Sequence, residues 1–137
     1  MAFTGINYLA VLIAAAASFA SGAAWYGVLA KPWMAAAKVS ESDLQSEGLA
    51  AKSIYLVAAV CQLLMAFLLA GVIGHLGRID IAGGLTTAFF LWLGFVATSM
   101  CVNHRFQGRG WNLTAIDGGY WLVAMLIQGA IIGAMGV

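Results

Sequence analysis

Charge is scarce in this chain. Only 8% of its 137 residues are Asp, Glu, Lys or Arg, against about a quarter in a soluble domain. So few charges cannot clothe a water-soluble globule of this length, and lipid is the expected solvent. A basic surplus is missing too. Six Lys and Arg against five Asp and Glu give a net charge of +1, which argues against a nucleic-acid partner. Cysteine is limited to Cys61 and Cys101, both inside apolar runs. They read as packing residues rather than a disulfide or a metal site. The single proline, Pro32, stands where the first apolar run stops.

What is there is apolar text: 64% hydrophobic residues and a mean hydropathy of +0.98. Four runs emerge, from about Ile6 to Leu29, Ser53 to Ile73, Ile81 to Val102 and Leu113 to Met135. Each has the roughly 20 residues that a helix needs to cross about 30 Å of hydrocarbon. None alternates as a membrane-barrel strand would, and an open sheet leaves backbone groups unpaired in lipid. The expected fold is all-α: one domain, an integral membrane bundle of four transmembrane helices with short loops. The small residues of "AAAASFASGAAW" resemble a signal-peptide cleavage site, but no Lys or Arg precedes the run. Span one therefore reads as a permanent helix.

Basic residues give the orientation. Lys31, Lys38, Lys52, Arg105 and Arg109 flank the connections after spans one and three, and only Arg78 lies on the other side. The positive-inside rule places the connections 30–52 and 103–112 in the cytoplasm and both termini outside, in a bilayer expected to be a bacterial inner membrane. Trp25, Tyr26, Trp33, Tyr55, Trp111, Tyr120 and Trp121 gather on that same side, at the headgroup depth such rings prefer. Within the first connection, Ser40 and Asp43 have capping-box spacing, and Gly48 is a natural stop for a short surface helix.

Three blocks carry a family resemblance: "SGAAWYGVLAKPW" from Ser21, "LWLGFVATSM" from Leu91 and "AIDGGYWLVAMLIQGAIIG" from Ala115. Together they resemble the small four-span membrane proteins known as domain of unknown function 1761. The resemblance implies an integral membrane helical bundle. It implies no activity, substrate or catalytic residue.

The polar stretch "VNHRFQGRGWNLTAIDGGYW", Val102 to Trp121, joins spans three and four. One reading is a pocket at the cytoplasmic face that holds a headgroup or small ligand, built from Trp25, Tyr26, Asn103, His104, Arg105, Asp117, Tyr120 and Trp121. The other is a capped helix and an ordinary wet turn, with Asp117 at the helix N-terminus or paired with Arg105 or Arg109. The second is favoured, because interfacial charge is cheap beside charge at mid-membrane. His75 and His104 fall on opposite faces and cannot share a metal, so no cofactor is expected. Cys101 and His104 lack a third orienting group, so no catalytic set is expected. The sequon at Asn112 lies in a short cytoplasmic connection and should go unused.

Gln62 and Gln128 are the strongly polar side chains near mid-depth, where amides seek another helix. No Asp, Glu, Lys or Arg lies there, which lowers the case for an ion-coupled carrier. Ala14, Ser18, Gly22 and Trp25 form a narrow stripe on span one, and Gly129 and Gly133 repeat the pattern on span four. Such stripes let helices approach, within one bundle or between protomers. The expected protein is a non-enzymatic, self-associating bundle, or an accessory or lipid-binding subunit of a larger membrane complex. The alternative is an oligomeric channel or passive transporter with a path past Gln62, Gln128 and Thr98.

Overall fold

The computed structural model describes residues 3–45 and 49–137. The helices are α1 Tyr8–Val28, α2 Ala30–Ala37, α3 Glu41–Gln45, α4 Leu49–Leu76, α5 Ile81–Leu91, α6 Thr98–Phe106 and α7 Trp111–Met135; a π-helix, Trp92–Ala97, joins α5 to α6 without a break. Four helical spans are long and apolar enough to cross a membrane: Tyr8–Val28, Lys52–Leu76, Ile81–Phe106 and Trp111–Met135. A helix satisfies its backbone internally, which is why uninterrupted apolar runs take this form in lipid.

Local chemistry sets the breaks. The Asn7 side chain accepts the Ala10 N–H at 3.1 Å and starts α1. Pro32 has no N–H and would clash with the Val28 carbonyl in a continuing helix. So α1 stops at Val28, and Pro32 sits in the first turn of α2, where an N–H is not needed. Ser40 and Asp43 form the expected reciprocal cap of α3: Ser40 N–H donates to Asp43 Oδ2 at 2.9 Å, and Asp43 N–H donates to Ser40 Oγ at 3.2 Å. The expected stop at Gly48 lies outside the described residues.

Helix α7 is the hub. It packs on α5, α1 and, more lightly, α4, while α1 also packs on α4. In its most apolar window α7 is 44% buried, against 6% for the third span. The third span therefore lies at the edge of the bundle, with few fully buried residues. The Asn7 amide donates to the Met135 carbonyl at 3.1 Å, joining the start of α1 to the end of α7. At the opposite end Lys38 Nζ reaches the Gly108 carbonyl at 3.5 Å. This second end, called the basic end below, gathers Lys31, Lys38, Lys52, Arg105 and Arg109. Arg78 lies at the other end beside Asp80, 3.8 Å away.

Two expectations need correction. The third helix runs to Phe106 and α7 opens at Trp111, so the connection expected over 103–112 shrinks to Gln107–Gly110. Asn103, His104 and Arg105 are helical. Polar side chains at the interface do not oblige the backbone to unwind, and Gly108 (φ 69°) supplies the left-handed residue for a tight turn. The connection over 30–52 likewise holds α2, α3 and the start of α4.

The small-residue stripes join helices of one chain. Ala14 and Ser18 are fully buried. A Cβ on Gly22 would stand 2.8 Å from the Tyr120 hydroxyl, one on Gly129 2.4 Å from the Gly84 carbonyl, and one on Gly133 2.3 Å from the Asp80 carbonyl. A Cβ on Gly84 would fall 1.9 Å from the Gly129 carbonyl oxygen. Gly84→Ala must therefore push α5 off α7, at an expected cost of about 1–3 kcal/mol. Gly27→Ala, with nothing within 4 Å, should be close to neutral. Denaturation midpoints in detergent that fall equally for both would refute the α5–α7 contact.

Acid should loosen α3. Its two bonds from Ser40 hold the Asp43 carboxyl below the usual carboxylate range. A depressed folded value means that the cap is fully effective above the unfolded value of about 4 and is lost as pH falls through the lower folded one. Hydrogen exchange at Ser42–Gln45, corrected for intrinsic rate, should accelerate over that interval, and Asp43→Asn should remove the pH dependence.

Candidate functional site

Polar side chains collect in two places, at the basic end and at mid-depth. The first centres on Asp117, in the second turn of α7. Its Oδ1 accepts the Tyr26 hydroxyl at 2.7 Å. Its Oδ2 lies 3.8 Å from His104 Nε2, and both side chains are mostly buried, with 20% and 12% exposure. The Thr114 hydroxyl stands 2.9 Å from His104 Nδ1. The helix cap is Gly110, with no side-chain capping bond. Asp117 is thus not the N-terminal cap that the sequence allowed, and it bridges three spans instead.

Two indoles fix this turn of α7. Trp25 Nε1 donates to the Ile116 carbonyl at 3.0 Å, and Trp92 Nε1 donates to the Gly118 carbonyl at 2.9 Å. Trp92 opens the π-helix, whose wider turn leaves carbonyls to be satisfied. Thr98 Oγ1 donates to the Gly94 carbonyl at 2.8 Å, and Ser99 Oγ donates to that of Phe95.

Arg105 does not pair with Asp117. Its Nη2 donates to the Gly110 carbonyl at 2.9 Å and to Thr114 Oγ1 at 2.6 Å. Its guanidinium lies over the Trp111 ring at 3.8 Å. Its Nε and Nη1 are buried with no hydrogen-bond partner. Arg109 Nη1 is 3.4 Å from the Gln107 carbonyl.

The second cluster ties α1, α4 and α7 together. Gln128 Nε2 donates to Gln62 Oε1 and to Ser18 Oγ, each at 2.9 Å. Gln62 Nε2 donates to the Tyr120 hydroxyl, which donates to the Ser18 carbonyl at 3.1 Å. Ser18 Oγ lies 2.9 Å from Gln62 Oε1 and 3.1 Å from the Ala15 carbonyl, so its one proton serves one acceptor at a time. All four side chains are buried. Apart from Thr87, the other buried side chains among the described residues are apolar, including Val11, Ala66, Leu69, Ala70, Ile73 and Ile132.

The residues expected to share one pocket divide. Trp25, Tyr26, His104 and Asp117 come together, with Arg105 joined to them through Thr114. Tyr120 belongs to the mid-depth knot and touches Tyr26 only by its ring, at 5.2 Å. Trp121 leans on Tyr120 at 5.0 Å, and Asn103 is exposed. The basic-end side chains bond to one another rather than line a hollow. The cleft of about 390 Å³ beside Trp25 is lined by Ser21, Ala24, Val28 and Leu29 and does not reach Asp117. Thr98 is exposed and bonded within its own helix, away from both glutamines. Among the described residues no group of three or more His, Cys, Asp or Glu could hold a metal ion. Sequence reasoning missed Thr114 and Trp92. For Trp92 a signal existed, since an indole N–H in an apolar run needs an acceptor.

Tyr26→Phe removes a bond to a mostly buried carboxylate. The expected loss of stability is about 1.5–3 kcal/mol, with Trp33→Phe as a control that leaves the bond in place. An unchanged unfolding midpoint for Tyr26→Phe would show that Asp117 finds its partners elsewhere.

No curated protein and no solved structure matches the chain. A family model described as a protein of unknown function, DUF1761, matches residues 9–133. That match spans α1 to α7, and the chain belongs to this family.

Proposed function

We propose that the protein is a non-enzymatic component of a bacterial inner membrane, a closed bundle that contacts lipid and serves as an accessory subunit beside other membrane proteins. The observation that carries this reading is the knot of Gln62, Gln128, Ser18 and Tyr120. A conduit needs its mid-depth amides turned to water. Here they bond to each other and to the hydroxyls of Ser18 and Tyr120, only Gln128 Oε1 lacking a partner, and packed apolar residues surround them. The gathering of five of the six Lys and Arg residues at one end supports an orientation with that end in the cytoplasm and both termini outside. Association with a second copy or a larger complex would use the third span, where Phe90 and Phe95 face outward, because the small-residue stripes are occupied within the bundle.

Reconstitution tests the choice between component and conduit. Proteoliposomes should pass ions and water no faster than empty liposomes. A flux above that background, altered by Gln62→Leu or Gln128→Leu, would overturn the reading in favour of a path past those amides.

A further inference from the structure

At the basic end three cations have no carboxylate partner among the described residues. Lys38, Arg105 and Arg109 surround the Gln107–Gly110 turn, and all three engage backbone carbonyls: Gly108 from Lys38, Gly110 from Arg105, Gln107 from Arg109. Among the described residues the approaches of a basic side chain to a carboxylate within 4.0 Å are Arg78 to Asp80 and the His104 ring to Asp117. None of the three cations has a carboxylate of the described residues within 4.0 Å, and Asp117 accepts from Tyr26 and faces His104.

Three further observations point to an anion. Arg105 keeps two guanidinium nitrogens without a hydrogen-bond partner; both are buried, so they add unbalanced charge behind the turn and make no direct contact. The turn leads directly into α7, whose cap makes no side-chain bond and whose first turn holds no acidic residue. The unpaired N–H groups and positive dipole end of that helix add to the field of the cations. Lys38 ends α2 in the left-handed conformation (φ 57°), where glycine is the unstrained choice. At that position the lysine sets an ammonium beside the turn.

Depth identifies the source of the anion. The turn links two membrane spans with four residues, Gln107–Gly110. Trp111, 65% exposed, stacks on Arg105, and Trp33 pairs edge-on with Tyr26 at 6.2 Å. Such rings mark the headgroup layer. We propose that the Gln107–Gly110 turn binds the phosphate of an anionic phospholipid, with Lys38 and Arg109 as its contacts and Arg105 and the α7 N-terminus behind them. The site requires the chain to sit in a membrane and does not depend on whether its interior conducts.

The test is a lipid titration of the protein in neutral detergent, read by native mass spectrometry with phosphatidylglycerol, phosphatidylcholine or inorganic phosphate. Phosphatidylglycerol should bind more tightly than phosphatidylcholine. A cation near a membrane surface contributes about fivefold in affinity, so Lys38→Gln with Arg109→Gln should weaken phosphatidylglycerol binding about thirty-fold. The control pair Lys31→Gln and Lys52→Gln removes the same charge from the same end and should leave that affinity within about twofold. If Lys38→Gln disturbs the α2 cap, Arg109→Gln alone must give the fivefold loss. Equal weakening by the control pair, no weakening by Arg109→Gln, or phosphatidylcholine binding as tightly would each overturn the proposal. Saturation by inorganic phosphate with no preference for the lipid would reassign the site to a soluble anion and overturn it equally.

Discussion

Hydrocarbon supplies no hydrogen bonds, and a polar group carried into it must bring its partner along. The mid-depth knot answers that demand. Two amides from α4 and α7, a serine from α1 and the Tyr120 hydroxyl meet in one place and satisfy most of their capacity among themselves. Three helices are thereby tied at a single level, and their relative heights follow. With α1 and α7 in register, Tyr26 falls opposite Asp117 and Trp25 opposite Ile116. The basic-end cluster thus rests on the knot beneath it, and Tyr120, whose ring lies 5.2 Å from that of Tyr26, joins the two.

The fourth element is held differently. Helix α5 meets α7 through glycines, Gly84 against Gly129, with backbone oxygens where side chains would be. Close approach gives dispersion contact in a solvent that provides no hydrophobic drive between helices. Farther along, the third span keeps fewer contacts with α7, and Trp92, Met100 and His104 fill the interval. The bundle is therefore close-packed by glycine at one end and bridged by polar and aromatic side chains at the other.

Much of this was legible in the sequence. Composition and run length gave four helices. Depth marked Gln62 and Gln128 as amides that seek another helix, but not which partner each would take; their bond to each other is a finding of the structure. The less favoured of the two readings of the polar stretch puts His104 and Asp117 in one pocket; the favoured one sets Asp117 at the helix N-terminus or pairs it with Arg105 or Arg109, which the structure does not show. Other features left no usable trace. Tyr120 looked interfacial because the start of α7 was placed at Leu113; with the helix opening at Trp111, its Cα lies about two and a half turns inside. Thr114 gave no signal because a helical threonine commonly bonds its own backbone, as Thr86 does with the Ala82 carbonyl. The π-helix was invisible because a helix apolar on nearly all sides has no periodicity to interrupt.

The indole bonds to Ile116 and Gly118 bear on the stiffness of α7. Gly118 and Gly119 are adjacent, and each glycine weakens a helix interior by about 1 kcal/mol relative to alanine. Such a pair would ordinarily make a hinge. Here the carbonyls of Ile116 and Gly118 each receive an indole donor from a different neighbouring span, while a Cβ on Gly119 would meet the Trp25 ring at 3.0 Å. Gly119 is thus the recess into which Trp25 fits, and the turn most prone to bend becomes a strut braced from two sides.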